Sequence, residues 1–369
     1  MRILHLDTGR EWRGGQAQVL LLLEGLRARG HESRLLAPRG PLLERAEAAG
    51  LAVSEWRPRS EWDPGAALGA RGAIRASRAE IVHCHSAHAH PPGAAAAWLA
   101  DVPVVVSRRV DFAVARNPLS ALKYSMPVDR YLCISRGVIE AMAASGVARA
   151  RLALVPSGVS LPPEGDGPAP AAEEADLRAL IGADPGAEVV GTVAALAPHK
   201  NHADLARAAA IVVAQRPAVH FAWIGEGECR AALERQIAAL GLERSVHLLG
   251  FRADARALLR QFTVFALSSY LEGLCTSLLD AQALGVPVVA TAVGGIPDVV
   301  EHGRTGLLAP GRDPAGLAAA LLETLGDPEA ARRRAAEALR SVRAFSADAM
   351  VERTLQEYDT VRRARSARR

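Results

Sequence analysis

Two lysines, Lys123 and Lys200, stand among 42 arginines in this chain of 369 residues, and Lys200 sits where a cation can do chemistry. It follows the β-rich run Val189–Ala194 and comes just before the amphipathic stretch His202–Gln215. A lysine at a helix start adds a point charge to backbone N–H groups that lack intrahelical partners, which makes an anion site. Asn201 has the residue type of an N-cap, and Asp204, three residues on, completes a variant of the capping box. A solvated loop lysine is the rival reading.

A second helix start carries acids. In SSYLEGLCTSLLDAQALGVPVVAT, a strand ending near Ser268 runs into a loop with Glu272 and Gly273, and a helix begins near Thr276 with Asp280 one turn inside. Gly273 lets a ligand approach the backbone closely, and the amides that follow point at an anion. A carboxylate accepts two hydrogen bonds and suits vicinal hydroxyls. One carboxylate before the helix and one within it can hold two diols with phosphates between them, the layout a nucleotide-sugar requires. Taken singly, Glu272 is a loop acid and Asp280 a surface helix residue. Gly14 and Gly15, after the strand Arg2–Asp7, supply a third element: a tight turn with free N–H groups for a diphosphate, or a plain loop–helix junction.

These residues need a scaffold that gathers strand ends. Apolar runs alternate with amphipathic stretches along nearly the whole chain. In the first half the expected strands are Arg2–Asp7, Ser33–Ala37, Ala52–Glu55, Ile81–His85, Val102–Ser107 and Tyr131–Ser135, separated by stretches of helical period. After Pro156–Asp176, rich in Pro, Gly and acid, the alternation restarts with Val189–Ala194, Val219–Ile224, Val246–Leu249, Val264–Ser268, Pro287–Thr291 and Gly306–Leu308. The helical stretches of this half include Pro297–Glu301. Runs such as VVVS and PVVAT read as strands buried on both faces, so the fold class is α/β with two doubly wound parallel sheets in series and a cleft between them. The expected division is 1–160, a linker 161–180, a second domain 181–345 and a terminal helix with a basic tail over 346–369.

Half the residues are hydrophobic and 23% are charged, which excludes a disordered or fibrous chain. No apolar run reaches the 18 or so residues that span a bilayer. The start MRILHLDTGREW has Asp7 within its apolar stretch and offers no cleavage site, so it does not read as a signal peptide and a cytoplasmic location is expected. Four separated cysteines, with no C-x-x-C pair, argue for reduced buried thiols. Residues 1–165 carry 21 basic and 15 acidic side chains, a balance of +6; residues 166–361 stand at −7, and RRARSARR adds +5. A basic front half and tail suit an anionic partner or the inner face of a membrane as well as they suit a solvated arginine-rich face. Few aromatics and no binding motif argue against nucleic acid.

Taken together, the three motif segments resemble the retaining glycosyltransferases of family 4, which have the GT-B fold: two Rossmann-like domains facing a central cleft. The resemblance covers almost the whole chain. Its most specific stretch is Glu272–Asp280, which matches the family's E-x7-E as E-x7-D, followed by GVPVVATAVGGIPDVV and HGRTGLLAP; ALAPHKNH and RGGQAQ are similar to its lysine segment and first glycine loop. It implies that Glu272 holds donor sugar hydroxyls, Asp280 the ribose diol and Lys200 the leaving diphosphate. Backbone at Gly14, Gly15, Gly273 and Leu274 completes the cradle. Lys200 and Glu272 are the residues expected to carry catalysis. The implied reaction moves a sugar, from a UDP-sugar as the expected donor, onto a saccharide or glycolipid hydroxyl of the bacterial envelope. No cofactor is implied, the donor being a substrate, and no metal, because D-x-D is absent. The sequence departs from the family in two places. Ala195 stands where many members have an arginine five residues before the lysine, leaving Arg252, Arg13 and Arg109 as candidate second cations. Arg108–Arg109 ends a strand where others place a histidine.

HCHSAHAHP holds four histidines, with His83 and His85 on one strand face and His88 in the loop beyond. Metal binding would need a supporting carboxylate or thiolate cluster, which the sequence does not show. By the family likeness His85, His88 and Arg109 lie on the acceptor side, a packed structural histidine being the rival for the first two. IGEGECR gives G-x-G without the third glycine of a dinucleotide fingerprint. Two other classes stay open: a catalytically weak nucleotide-sugar binding protein, and a nicotinamide-dependent oxidoreductase.

Overall fold

The computed structural model describes residues 1–109, 118–161 and 175–367. Most of the expected linker, and the last two arginines of the tail, lie outside them. In chain order the elements are β1 (Arg2–Leu6), α1 (Gly14–Ala28), β2 (Glu32–Ala37), α2 (Pro41–Ala48), β3 (Ala52–Glu55), α3 (Pro64–Ser77), β4 (Ile81–Cys84), α4 (His90–Ala100), β5 (Val104–Arg108), α5 (Pro118–Ser125), β6 (Arg130–Cys133), α6 (Arg136–Ala144) and β7 (Leu152–Leu154). They continue with α7 (Leu177–Leu180), β8 (Val189–Val193), α8 (His202–Gln215), β9 (His220–Ile224), α9 (Arg230–Ala239), β10 (Val246–Gly250), α10 (Ala255–Leu259), β11 (Val264–Leu267), α11 (Thr276–Ala283), β12 (Val288–Thr291), β13 (Leu307–Ala309), α12 (Pro314–Gly326), α13 (Pro328–Ser341) and α14 (Ala347–Ser366).

Chain contacts divide the molecule into Met1–Gly158 with Ser346–Arg369, and Val159–Phe345. The first unit holds a parallel seven-stranded sheet in the order β3-β2-β1-β4-β5-β6-β7, the second a parallel six-stranded sheet in the order β10-β9-β8-β11-β12-β13. Each order reverses once, at β1/β4 and at β8/β11, and the crevice past the strand ends at such a point is where ligands bind in open α/β sheets. Strands β4, β11 and β12 are buried along their whole length, which explains their mainly apolar runs, although β4 carries His83 and β12 ends in Thr291.

Helix α14 closes the first unit. Met350, Val351, Tyr358 and Val361 pack with Ile3 of β1, Leu22 and Leu26 of α1, Ile81 of β4 and Val105 of β5. Gly25 permits this approach, since a Cβ there would stand 2.5 Å from Val351 Cγ2. Two tail arginines are taken up within the unit: Arg362 pairs with Glu80 at 2.9 Å and Arg365 with Asp101 at 2.7 Å. In the second unit Trp223, Phe221, Val190 and Ala266 of the sheet pack against Leu205, Ala209 and Val212 of α8 and Leu317 and Leu321 of α12. Among the described residues no helix is long and apolar enough to cross a membrane.

Two local expectations need correction. Helix α1 starts at Gly14, so Gly14 and Gly15 form its first turn and not a preceding loop. The expected helix Pro297–Glu301 is a single 3-10 turn, Ile296–Asp298. The hydroxyl of Thr305 accepts from the Glu301 N–H at 2.8 Å, offering a partner that a helix would otherwise supply. Strand β7 and helix α5 were not foreseen, being three residues long and eight residues long with little periodicity.

Candidate functional site

Lys200 and Glu272 come together at the switch point of the second sheet, in the loops that follow neighbouring strands β8 and β11. Lys200 ends a 3-10 turn, Pro198–Lys200, and Asn201 then takes a left-handed conformation with φ 54°, which asparagine tolerates better than most residues. Asn201 stands at the N-cap position of α8 but does not cap it with its side chain. Its Nδ2 donates instead to Asp204 Oδ2 at 2.6 Å, which replaces the expected capping box. The Ser268 hydroxyl, at the end of β11, lies 2.9 Å from the Lys200 carbonyl and 3.0 Å from that of Asn201, while the Tyr270 N–H donates to the His199 carbonyl at 3.0 Å. These bonds clamp the two loops together.

The glycines of IGEGECR serve the same clamp. Gly225, with φ 149°, lies so close that a Cβ would meet the Ala194 carbonyl oxygen at 2.0 Å. The fragment that resembled a dinucleotide motif thus holds the loop leading to Lys200.

Within the clamp the Lys200 Nζ donates to Glu272 Oε2, and Ser269 Oγ donates to the same oxygen at 3.2 Å. The two side chains are only 14% and 10% exposed. A pair this enclosed is neutral as a whole but leaves an expensive charge if one partner is removed. Gly273 and Leu274 follow at the head of α11, with Cys275 at its N-cap making no side-chain cap bond. Ser277 Oγ donates to the Val193 carbonyl at 2.7 Å, fixing that helix start against β8. Asp280 lies one turn along, its Oδ1 3.5 Å from Arg256 Nε of α10. Burial pushes the Asp280 carboxyl above its usual range, with Arg256 pulling the other way.

Gly14, Gly15, His85, His88 and Arg109 belong to the first unit. The first-turn amides of α1 have no intrahelical acceptor, and its N-cap, Arg13, makes no side-chain cap bond. A Cβ on Gly15 would stand 3.9 Å from Arg109 Cδ. Arg109 faces Asp7, a buried carboxylate past the end of β1 that sequence reasoning noted only as a break in the apolar start. Asp7 accepts from the Gly9 N–H at 2.6 Å and from Gln16 Nε2 at 3.2 Å. Burial raises its carboxyl against these bonds and against Arg109. His85 is 5% exposed and lies against His5, whereas His88 is exposed, 3.6 Å from Glu61. Lys123 Nζ donates to Glu61 at 3.0 Å and to the Ala87 carbonyl at 2.6 Å, so the second lysine orders the loop that carries His88.

Of the candidate second cations, Arg252 is bound to Asp254 at 2.6 Å and Arg13 to Glu11 at 2.5 Å on the surface. Arg256, not singled out from the sequence, is the arginine placed against Asp280. Ser268 and Ser269 were missed as well; the only signal was a polar pair ending an apolar strand.

Both halves of the chain match family models. Residues 187–327 match "Glycosyl transferases group 1" and residues 12–161 match "Glycosyltransferase Family 4". The chain is 32% identical over 198 residues to D-inositol 3-phosphate glycosyltransferase of Thermobispora bispora, a match covering 51% of this chain and 46% of that protein. It is 26% identical over 257 residues to the UDP-Gal:alpha-D-GlcNAc-diphosphoundecaprenol alpha-1,3-galactosyltransferase of Escherichia coli, covering 64% of this chain and 63% of that one. The chain spans about half the length of the curated relatives it matches. Among solved structures it is similar to Anabaena HepE in complex with UDP and glucose, with a TM-score of 0.85 at 20% identity over 98% of this chain and 100% of that one. With a glycosyltransferase family model on each unit and this likeness of fold, the chain belongs to the group 1 glycosyltransferases, on the GT-B fold.

Proposed function

We propose that this protein is a retaining glycosyltransferase that moves a sugar from a nucleoside diphosphate sugar, a UDP-sugar in this reading, to a hydroxyl of a saccharide or glycolipid acceptor. The observation that carries the reading is the enclosed Lys200–Glu272 pair at the β8/β11 switch point, in the unit matching the group 1 model. Without ligand, Glu272 neutralises Lys200. An arriving diphosphate competes for the ammonium, and freeing Glu272 lets it accept from sugar hydroxyls. Gly273 and Leu274 present the head of α11 to the phosphates and Asp280 holds the ribose diol. Arg256 adds the second positive charge that Ala195 does not supply. The first unit takes the acceptor, with Arg109 and the loop bearing His88 as its contacts.

In the transfer step the bond from the anomeric carbon to the diphosphate oxygen breaks and a bond to the acceptor oxygen forms on the same face. The acceptor proton passes to the departing diphosphate oxygen, so no side chain becomes covalently attached. Lys200 and the helix start stabilise the charge that develops on the leaving group. The UDP complex of HepE and the UDP-sugar and lipid diphosphate in the name of the E. coli relative support a UDP donor and an envelope acceptor. Work at the cytoplasmic membrane face fits the basic first half.

Thermal stabilisation by UDP-, GDP- and ADP-sugars tests the donor. Stabilisation by a UDP-sugar and loss of it in Lys200→Ala support the reading; stabilisation by none of them overturns it. Ala195 favours a second reading, a nucleotide-sugar binding protein, which tight donor binding with neither transfer nor slow hydrolysis would establish.

A further inference from the structure

Three imidazoles meet at the switch point of the first sheet. His5 of β1 and His83 of β4 are register partners on adjacent strands and project from the same face; His85, two residues on, returns to that face just past the end of β4. His5 Nδ1 lies 2.9 Å from His85 Nε2, and the rings of His83 and His85 have centroids 3.9 Å apart. One nitrogen from each of the three falls within 4.8 Å of the others. The residues are 0%, 1% and 5% exposed.

Their hydrogen bonding does not close. A neutral imidazole has one N–H and one lone pair. The His5–His85 bond uses one of each and leaves His5 Nε2 and His85 Nδ1 enclosed without partners. The pair is thus joined by a single hydrogen bond between its facing nitrogens, His5 Nδ1 and His85 Nε2, which a cation between them can replace. His83 is satisfied on both sides, by the Tyr358 hydroxyl at 2.6 Å and Ser107 Oγ at 2.8 Å.

We propose that His5, His83 and His85 form a binding site for one zinc-type transition-metal dication, a site separate from the donor residues and independent of the transferase reading. The donor set selects the metal class. Three imidazoles with no carboxylate among them suit zinc, cobalt, nickel or copper and not calcium or magnesium. Cys84 projects to the opposite face, where its Sγ lies 2.3 Å from the place a Cβ on Gly93 would take, so no thiolate joins the set. Zinc–nitrogen bonds of about 2.0–2.1 Å in a tetrahedron put ligand nitrogens about 3.4 Å apart, so His5 Nδ1 and His85 Nε2, 2.9 Å apart, give up their mutual bond and open slightly, and His83 closes in. Tyr358 accepts from His83 Nδ1 as the outer partner that aims Nε2 at the ion, and Ser107 Oγ flanks the fourth position. Arg109, a buried guanidinium, directs its positive charge at His83 and His85. The same positive charge of Arg109 opposes the ion, offset in part by Asp7. A bound ion ties β1 to β4 and, through Tyr358, to α14.

The test is a titration of the EDTA-treated full chain with Co²⁺, read by its visible ligand-field absorption, followed by Zn²⁺ displacement. One saturable equivalent with the intense spectrum of a four-coordinate site is expected. His5→Gln and His83→Gln abolish it, and Tyr358→Phe weakens binding about tenfold. Arg109→Met tightens binding several-fold. His247→Ala, which breaks the other histidine pair, His220–His247 at 3.1 Å, leaves the signal unchanged. X-ray absorption of the cobalt-loaded wild type, which needs no variant to fold, should show three imidazole ligands. Absence of the band, its survival in folded His5→Gln and His83→Gln, or its loss in His247→Ala overturns the site.

Discussion

Lys200 Nζ lies against Glu272 Oε2 although 72 positions separate them, and nearly all of both side chains is enclosed. Replacing Lys200 by Ala takes the ammonium away from an enclosed carboxylate. Transfer should fall about 10²–10³-fold, the loss typical of one leaving-group stabiliser. Stability should fall about 3–5 kcal/mol, as for a broken buried pair. The double variant Lys200→Met with Glu272→Gln should recover much of the stability and none of the turnover. Parallel denaturant titration and radiolabelled-sugar transfer separate the two effects; recovery of transfer in the double variant would remove Lys200 from the chemistry.

Asp280 is predicted to matter for nucleotide and not for folding. Its surroundings raise the carboxyl pKa, so ionisation at neutral pH works against the folded state. Asp280→Asn should therefore leave the unfolding midpoint unchanged or higher, while UDP affinity by calorimetry drops about tenfold, from loss of charged hydrogen bonds to the ribose.

Gln18 of α1 makes two buried bonds to one residue: its Nε2 donates to the Gly158 carbonyl at 2.7 Å, and its Oε1 accepts from the Gly158 N–H at 2.7 Å. Gln18→Leu strands both backbone groups. A loss of about 2–4 kcal/mol in unfolding free energy is expected, with Gln18→Glu intermediate. An unchanged denaturation midpoint would mean water replaces the pair.

Acid should weaken the fold through buried histidines. Burial, the largest cause, depresses His90 to about 3 and His202 to about 4, against 6.5 when unfolded. The unfolded chain therefore binds more protons below pH 6.5, and the stability these two rings contribute in neutral form is lost as pH falls toward their folded values. The slope is up to about 1.4 kcal/mol per pH unit for each ring. His90→Phe, keeping the ring contacts to Tyr124 and Tyr131, should reduce the slope between pH 6.5 and 4 by one proton's worth. Melting temperatures measured across that range decide it.

Local order was legible in the residues themselves. The alternation of buried β runs with amphipathic stretches, the helix starts at His202 and Thr276, and the acid spacing Glu272–Asp280 each depend on a handful of neighbours, so period and turn chemistry reveal them. What remained hidden depends on strand order. β8 lies beside β11, and β1 beside β4, because crossover helices pack that way, and no periodicity in either strand records its neighbour. That order alone sets Lys200 on Glu272, adds His5 to His83 and His85, and turns Asp7 toward Arg109. The return of α14 is of the same kind: its apolar stripe is visible in the sequence, but the surface it covers is made of Ile3, Leu22, Ile81 and Val105, residues from four elements that only the folded sheet assembles.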